Sequence, residues 1–497
     1  MTPYDQLMAH VSRTAALGDA AGVLSWDQET MMPPEGAVHR AEQMGALSAV
    51  IHSRTVDARV GEWLHAIDPE PLGAPERANL RRIRRDHARA ARLPERLAEE
   101  IARTTATAQG VWARAREADD FAAFAPTLER IVALRREEAS LLLDTAVEGA
   151  DLYDALLDDY EPGMRTAELA AMLDALRPAL VSLRERIAAS NASVPELSGT
   201  YEREGQMAVA RRVADAFGYH WQAGRLDLST HPFSAGFGPG DVRITTRVAE
   251  DDPFNCLFST AHELGHALYE QGLPKSRSLQ PVGGYVSMGV HESQSRLWEN
   301  QIGRSRAFCR WLHAQMQGFA AYDLPDAEAL FRTVNRVSTG YIRTEADEVH
   351  YNLHVMLRFD LERAMIAGDL EVRDLEAVWN ERFERDFGLA VDRASNGVLQ
   401  DVHWSAGLFG YFPTYTLGNV FAAELFARLR ADVGDVDAMA ESGRLAPVLD
   451  WLRTHVHARG SELQPMELME HVVGHKPTPG PLIDYLERKF TDLYDLG

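Results

Sequence analysis

Two histidines and a glutamate occur in STAHELGHALYEQG, residues 259–272, at a spacing that can bind a metal ion. His262 and His266 are four residues apart, and Glu263 directly follows the first of them. On an α-helix, side chains at this spacing share one face, so both imidazoles can bind one ion while the glutamate borders the same face. Zinc-dependent hydrolases use this arrangement with the glutamate as general base. The pattern therefore suggests metal-dependent hydrolysis.

Spacing alone is weak support, because the chain has 18 histidines and contains two further pairs at the same spacing. His350 with His354, and His471 with His475, have no glutamate after the first histidine. We interpret both pairs as packing or substrate-groove residues. The second pair also runs directly into a loop, HVVGHKPTPGP.

The residues around the first pair predict a buried helix of about 19 residues. Asp252 can cap its first turn, and Pro253 suits the first helical position, where a missing N–H costs nothing. Gly272 stands where a glycine often ends a helix. Apolar residues on more than one side indicate that the helix is buried.

A catalytic zinc ion usually has three protein ligands and an open position for water, so a third ligand is expected. The segment GVHESQSRLWENQIG supplies Glu292 on what reads as another helix. His291, the preceding residue, and Glu299, two turns further on, are the alternatives. A carboxylate ligand would partly offset the charge of the ion.

The distribution of residues predicts one large, mainly helical body with a small sheet near its centre. Residues 74–150 are rich in Ala, Arg, Leu and Glu, and the basic cluster 81–92 reads as a solvated helix face paired with neighbouring acids. The β-branched run 242–248 predicts a short strand or hairpin just before the metal helix. Residues 280–293 read as a second glycine-containing, partly extended segment.

Composition and charge argue against some classes of partner. The chain has 497 residues and a net charge of −23, which disfavours nucleic acid or an anionic membrane as its main partner. We find no signal-peptide pattern and no long apolar run. Cys256 and Cys309 are the only cysteines, which rules out a disulfide framework and makes the cytoplasm the expected compartment.

Several short motifs are spread over most of the chain in a fixed order. They are SWDQETMMPPEG (25–36), HPF (231–233), DVRIT (241–245), HELGH (262–266), HESQ (291–294), IRTEAD (342–347) and GVLQDVHW (397–404). This series resembles the carboxypeptidase Taq family, zinc metallocarboxypeptidases of the thermostable carboxypeptidase 1 type. The resemblance implies an all-helical, two-lobed body similar to neurolysin and angiotensin-converting enzyme, with the zinc helix on the floor of a deep cleft.

The resemblance also implies an activity and an assembly. The protein would be a homodimer with one Zn2+ in each subunit, or Co2+ in its place. It would remove single C-terminal residues, with broad specificity, from peptides that have a free C-terminus. Residues 1–497 would form one catalytic domain, with its zinc-helix region at 220–300 and its substrate and oxyanion region at 335–420.

Catalytic roles follow from combining the chemistry with the resemblance. Glu263 would take a proton from the attacking water and pass it to the leaving amine. The tetrahedral intermediate needs hydrogen-bond donors directed at its oxyanion. We favour His403 and Tyr415 as these donors, because related helical zinc peptidases have a histidine followed by tyrosines. Tyr411 is expected as a further substrate donor. Asp401 and its neighbour Gln400 read as supporting or packing residues.

An exopeptidase must also bind the α-carboxylate of its substrate, for which the planar fork of arginine is suited. Arg343 is the leading candidate. Asp347, four residues later, could form an ion pair with it on a helix or orient its guanidinium. Arg243 and Arg247 are alternatives that would line the closed end of a groove.

Two other functions remain open on the sequence. An oligopeptidase would cut internal bonds in an open groove without needing a carboxylate contact. A non-catalytic peptide-binding scaffold would have no need to keep the complete set of His262, Glu263, His266 and Glu292.

Overall fold

Helices make up 68% of the chain in the computed structural model, which describes residues 1–144 and 147–496. The first nine α-helices are α1 (Pro3–Thr30), α2 (Ala37–Thr55), α3 (Ala58–Ala66), α4 (Ala74–Arg92), α5 (Glu95–Glu117), α6 (Phe121–Leu142), α7 (Leu152–Leu157), α8 (Thr166–Ala189) and α9 (Arg203–Phe217). Those that follow are α10 (Pro253–Gly272), α11 (Met288–Arg296), α12 (Arg306–Met316), α13 (Ala327–Val334), α14 (Glu348–Ala367), α15 (Leu375–Phe387), α16 (Pro413–Val433), α17 (Val436–Glu441), α18 (Ala446–His455), α19 (Pro465–Val473) and α20 (Gly480–Tyr494). The predicted mainly helical fold is confirmed.

A small three-stranded sheet lies between α9 and α10 in the chain. Its strands are β1 (Leu226–Leu228), β2 (Ser234–Gly236) and β3 (Val242–Thr246), in the order β1-β3-β2. The central strand β3 pairs parallel with β1 and antiparallel with β2. The predicted strand is confirmed, although it ends at Thr246. The hydroxyl of Thr246 donates to the carbonyl of Cys256 at 3.1 Å, which ties the sheet to α10.

The start of α10 agrees with its sequence signals. The carboxylate of Asp252 accepts hydrogen bonds from the backbone N–H groups of Phe254 and Asn255, and Pro253 is the first helical residue. Its end differs from the prediction, because Gly272 is the last helical residue and does not adopt a left-handed conformation. This position needs glycine for space, since an added Cβ would lie 2.4 Å from His457 Nδ1.

The centre of the molecule is formed by helices that are buried on nearly all sides. Most residues of α14 are buried, including the polar ones at His350, His354, Arg358 and Glu362. These four recur every fourth residue, so they form one stripe along the helix. Burial of a polar stripe requires polar partners, and the segment between α15 and α16 provides several of them, as described below.

Helices α4, α5 and α6 account for the helical region predicted over residues 74–150, of which 145 and 146 lie outside the described residues. In the basic cluster, Arg85 and Arg89 contact Asp158 at 2.8 and 3.3 Å. The cluster is ion-paired as expected, but Asp158 lies at the end of α7, so this face of α4 packs against another helix and is not fully solvated.

The region predicted as partly extended, residues 280–293, is only extended in short pieces. It contains a 3-10 turn at Pro281–Gly283, and α11 already begins at Met288, where Ser287 accepts a hydrogen bond from Val290 N–H. The serine cap explains why the helix starts earlier than the glycines suggest. In the described part of the chain, no helix is long and apolar enough to cross a membrane.

Candidate metal centre and active site

Three side chains from two neighbouring helices converge on one point. His262 Nε2 and His266 Nε2, from α10, lie 3.6 and 3.5 Å from Glu292 Oε2, from α11. Ligand atoms bound to a tetrahedral zinc ion lie about 3.4 Å from one another, so this donor set fits zinc. Among the described residues it is the only group of histidines, cysteines and carboxylates close enough to hold a metal ion.

The two alternative ligands lie on the other side of the histidine rings. Glu299 Oε2 is 2.9 Å from His262 Nδ1, so it accepts a hydrogen bond from that nitrogen. His291 Nδ1 is 2.5 Å from His266 Nδ1, while its Nε2 donates to Glu270 Oε1 at 3.0 Å. Both arrangements place the Nδ1 proton away from the convergence point and leave the Nε2 lone pairs directed at it.

Close packing around Glu292 requires glycine at two positions. A Cβ at Gly265 would lie 2.4 Å from the Cα of Ser295, so α10 and α11 cross in contact there. A Cβ at Gly418, on α16, would lie 2.5 Å from Glu292 Cγ. Sequence reasoning missed the role of Gly418.

Sequence reasoning missed Arg296, one turn after Glu292. Its Nε donates to Glu292 Oε1 at 2.7 Å and its Nη1 donates to Glu299 Oε2 at 3.1 Å. One guanidinium therefore fixes both the candidate ligand and the carboxylate that holds His262. The i,i+4 and i,i+3 spacing to two glutamates was the signal that could have identified it.

Glu263 is buried beside these groups. Burial, which disfavours the charged carboxylate, raises its pKa to about 7. A carboxyl group with a pKa near neutrality can both accept a proton and return it, which suits the predicted role.

The predicted oxyanion donors lie together at the start of α16. His403 Nε2 is 3.3 Å from the hydroxyl oxygen of Tyr415, and the rings of Tyr411 and Tyr415 are 5.3 Å apart, edge to face. Burial lowers the pKa of His403 to about 4, so its imidazole is neutral at neutral pH. The three side chains therefore form one cluster of neutral hydrogen-bond donors.

The predicted pairing of Arg343 with Asp347 is wrong. Arg343 lies in a 3-10 turn before α14, and Asp347 caps that helix and binds His350 Nδ1 at 2.8 Å. Ala346 has an extended backbone, which separates the turn from the helix and removes the i,i+4 geometry. The guanidinium of Arg343 instead donates from Nε and Nη2 to Asp401 Oδ1, at 3.1 and 2.9 Å.

A second arginine, which sequence reasoning missed, shares Asp401. Arg358 is fully buried on α14 and donates from Nε to Asp401 Oδ2 at 2.6 Å. Two guanidinium groups therefore face one carboxylate, which leaves a surplus of one positive charge in this cluster. The guanidinium carbon of Arg343 lies 5.0 Å from the ring centre of Tyr415, so the surplus charge adjoins the donor cluster.

The alternative arginines have other partners in the described structure. Arg243, on β3, pairs with Asp241 at 2.7 Å and lies over the ring of Trp26 at 4.4 Å. Arg247 donates to the side chain of Asn255 at 2.7 Å. Within the part of the chain that the structure describes, neither arginine pairs with the three candidate ligands or with Asp401.

The other histidine pairs do not form metal sites in the described part of the chain. His350 bonds to Asp347 and, through Nε2, to Thr339 at 3.1 Å. His354 is buried, and its ring is tilted against that of Phe387, with 4.5 Å between ring centres. His471 and His475 likewise belong to no group that could hold an ion.

A family model described as "Carboxypeptidase Taq (M32) metallopeptidase" matches residues 6–490. The chain belongs to this family. It is a metallocarboxypeptidase, a peptide hydrolase, and the resemblance inferred from the motifs is confirmed.

Full-length relatives and solved structures agree with the family. The chain is 44% identical to the thermostable carboxypeptidase 1 of Thermus thermophilus, with 99% of this chain and all of that protein covered, and 36% identical to that of Pyrococcus furiosus, with 98% of each covered. The M32 carboxypeptidase of Deinococcus radiodurans is similar in structure at a TM-score of 0.93 and 38% identity, covering 99% of both chains. Metallocarboxypeptidase 1 of Trypanosoma cruzi has a TM-score of 0.95 at 36% identity, covering 98% of this chain and 99% of that one.

Proposed function

We propose that this metallocarboxypeptidase removes single C-terminal residues from peptides, with broad specificity, using zinc held by His262, His266 and Glu292. The observation that carries the proposal is the convergence of these three side chains at tetrahedral spacing, directly beside the buried Glu263. When bound there, zinc supplies Lewis acidity, which acidifies a water molecule and polarises the scissile carbonyl. Cobalt is the alternative metal, since this donor set does not exclude it.

The protein's own groups supply the proton transfers. Glu263, buried beside the candidate ligands, accepts a proton from the attacking water and delivers it to the leaving amine. Arg296 and Glu299 hold Glu292 and His262 in place, so the metal ligands need not reorganise during the reaction.

The oxyanion that forms at the scissile carbonyl is stabilised by His403 and Tyr415, and Tyr411 is a further donor to the substrate. All three are neutral at neutral pH, because burial lowers the pKa of the His403 imidazole and raises the pKa values of both tyrosines. Preorganised neutral donors in a water-poor site are worth more in the transition state than in water.

The substrate carboxylate binds to Arg343. The pairing of Arg343 and Arg358 with a single carboxylate, Asp401, supports this assignment, because an anionic substrate end neutralises the surplus charge. Asp401 takes the orienting role first predicted for Asp347, and Arg243, which is paired with Asp241, remains only the alternative site for the substrate carboxylate.

We further propose a single two-lobed catalytic domain over residues 1–497 and a homodimer, both by family resemblance. The buried free thiols of Cys256 and Cys309 support a reducing compartment such as the cytoplasm.

Glu263→Gln in the zinc-loaded protein tests the chemistry. The variant should retain one zinc ion per subunit and lose nearly all cleavage of a peptide free acid, because the amide cannot accept the proton. Chelation of the wild type should abolish cleavage, and added zinc should restore it. Substantial cleavage by a zinc-loaded Glu263→Gln variant would contradict the proposed role of Glu263.

A further inference from the structure

A fully buried carboxylate on α14 takes no part in the reaction described above, yet it contacts the segment that carries the oxyanion donors. Glu362 Oε2 accepts hydrogen bonds from the hydroxyl of Tyr153, at 2.6 Å, and from the backbone N–H of Gly410, at 3.0 Å. Its other oxygen accepts from the indole N–H of Trp404 at 2.9 Å. All three bonds are buried.

Two of these donors are the immediate chain neighbours of proposed catalytic groups. Trp404 directly follows His403, and Gly410 directly precedes Tyr411. We propose that Glu362 is a positioning residue that holds His403 where it meets the oxyanion and Tyr411 where it meets the substrate. This inference rests on the catalytic roles proposed above for those two residues.

The chemistry of the three donors explains why a carboxylate is needed. An indole N–H and a backbone N–H can only donate, whereas a tyrosine hydroxyl can donate or accept. Burial raises the pKa of Glu362 to about 7, and in either protonation state its two oxygens can accept from Trp404 and Gly410 at the same time, because the Tyr153 hydroxyl can accept as well as donate. An amide of the same shape has one oxygen, so its NH2 group must face either the indole of Trp404 or the N–H of Gly410.

Neighbouring contacts also hold the segment on both sides of His403. Arg358, one turn before Glu362 on the same face of α14, holds Asp401 at the start of the segment. Gly410 has a φ of +89°, and an added Cβ would lie 2.8 Å from the backbone of Leu156, so α7 packs closely against it. The segment therefore rests on α14 at Asp401, Trp404 and Gly410, and two of these three points depend on Glu362.

The consequence for catalysis is specific. Donors that act on the oxyanion contribute to the transition state and little to substrate binding, so their displacement lowers kcat and leaves KM nearly unchanged. A displacement of about 1 Å can cost roughly 100-fold in rate. A merely structural role for Glu362 would instead lower stability without this split between kcat and KM.

Glu362→Gln is the main test, with Glu424→Gln as its matched control. Glu424 is also a buried glutamate and accepts from Thr478 N–H at 2.8 Å, but it lies beyond the donor end of α16. We expect kcat of Glu362→Gln to fall by about 10- to 100-fold with KM within about twofold and zinc content unchanged. Glu424→Gln should keep wild-type kcat. Tyr153→Phe, which leaves both obligate donors bonded, should also keep kcat within about threefold.

Trp404→Phe removes the same hydrogen bond by deleting its donor, the indole N–H, and should also lower kcat selectively. The test therefore does not depend on whether Glu362→Gln folds. His403→Ala, alone and combined with Glu362→Gln, separates this inference from the proposed function. If Glu362 acts through His403, its substitution should cost less in the His403→Ala background than in the wild type.

The inference would be overturned if Glu362→Gln or Trp404→Phe kept wild-type kcat while His403→Ala lost activity. That result would leave the proposed function intact. Equal fold losses from Glu362→Gln in both backgrounds would overturn the inference as well. Wild-type kcat in His403→Ala would refute the catalytic role of His403 itself, and with it the route by which Glu362 acts.

Discussion

Replacement of Arg343 by lysine should weaken recognition of the substrate carboxylate by a calculable amount. A guanidinium has five N–H donors, and three of them bond within the protein, two to Asp401 and one to the hydroxyl of Tyr351. Five minus three leaves two N–H groups, enough for a bidentate contact with a carboxylate. A lysine ammonium can keep the charge but only one of these bonds.

Losing one charge-assisted hydrogen bond costs about 1.5–3 kcal/mol, which corresponds to a decrease in kcat/KM of roughly 10- to 150-fold. The assay compares kcat/KM for one short peptide as a free acid, with Arg243→Lys as the control. Arg243→Lys should stay within about threefold of the wild type, because Arg243 is paired with Asp241 on the sheet.

The reasoning would be refuted by a wild-type kcat/KM for the free acid in Arg343→Lys together with a large loss in Arg243→Lys. That result would move the carboxylate site to the arginine of the DVRIT motif. It would also leave the surplus charge beside Asp401 without a function.

Two further predictions concern the metal ligands and stability. Gly418→Ala should reduce zinc affinity at least about tenfold, because the added Cβ would clash with the side chain of Glu292. Competition with a chromophoric chelator measures the zinc affinity. An unchanged affinity would contradict the packing argument. Burial lowers the pKa of His457 to about 3, below an unfolded value of about 6.5, so its contribution to stability is complete above pH 6.5 and is lost as the pH falls towards 3. The free energy of unfolding of His457→Gln should therefore fall less steeply between pH 6.5 and 4.5 than that of the wild type. The two slopes should differ by at most about 1.4 kcal/mol per pH unit. Equal slopes would show that the pKa of His457 is the same in the folded and unfolded states.

Local features of the fold could be predicted from the sequence because their causes are local. The cap at Asp252, the proline after it and the apolar residues that follow fix the start and the burial of α10 without reference to the rest of the chain. The same holds for β3, whose β-branched residues favour a strand. The end of α10 was misread, because Gly272 is required by contact with His457, which is distant in sequence.

The site was predictable only in part for the same reason. The spacing of His262 and His266 encodes their shared face, whereas the partner of Arg343 is Asp401, which only the fold brings near. A rule based on i,i+4 spacing selected Asp347 and failed, because the backbone leaves the helix before it reaches Arg343. Arg358 carried no signal of its own, since α14 also contains Asp360, Glu362 and Arg363, and only the fold shows which of these charges are buried and must be paired.

The most direct test of the whole account uses the zinc-loaded protein and one short peptide prepared as the free acid and as the C-terminal amide. Mass spectrometry follows the products over time, with a chelator control. The account predicts stepwise loss of single residues from the free acid while the amide is largely spared, because the amide lacks the charge that Arg343 binds. Cleavage of internal bonds at similar rates in both peptides would contradict it and would indicate an oligopeptidase.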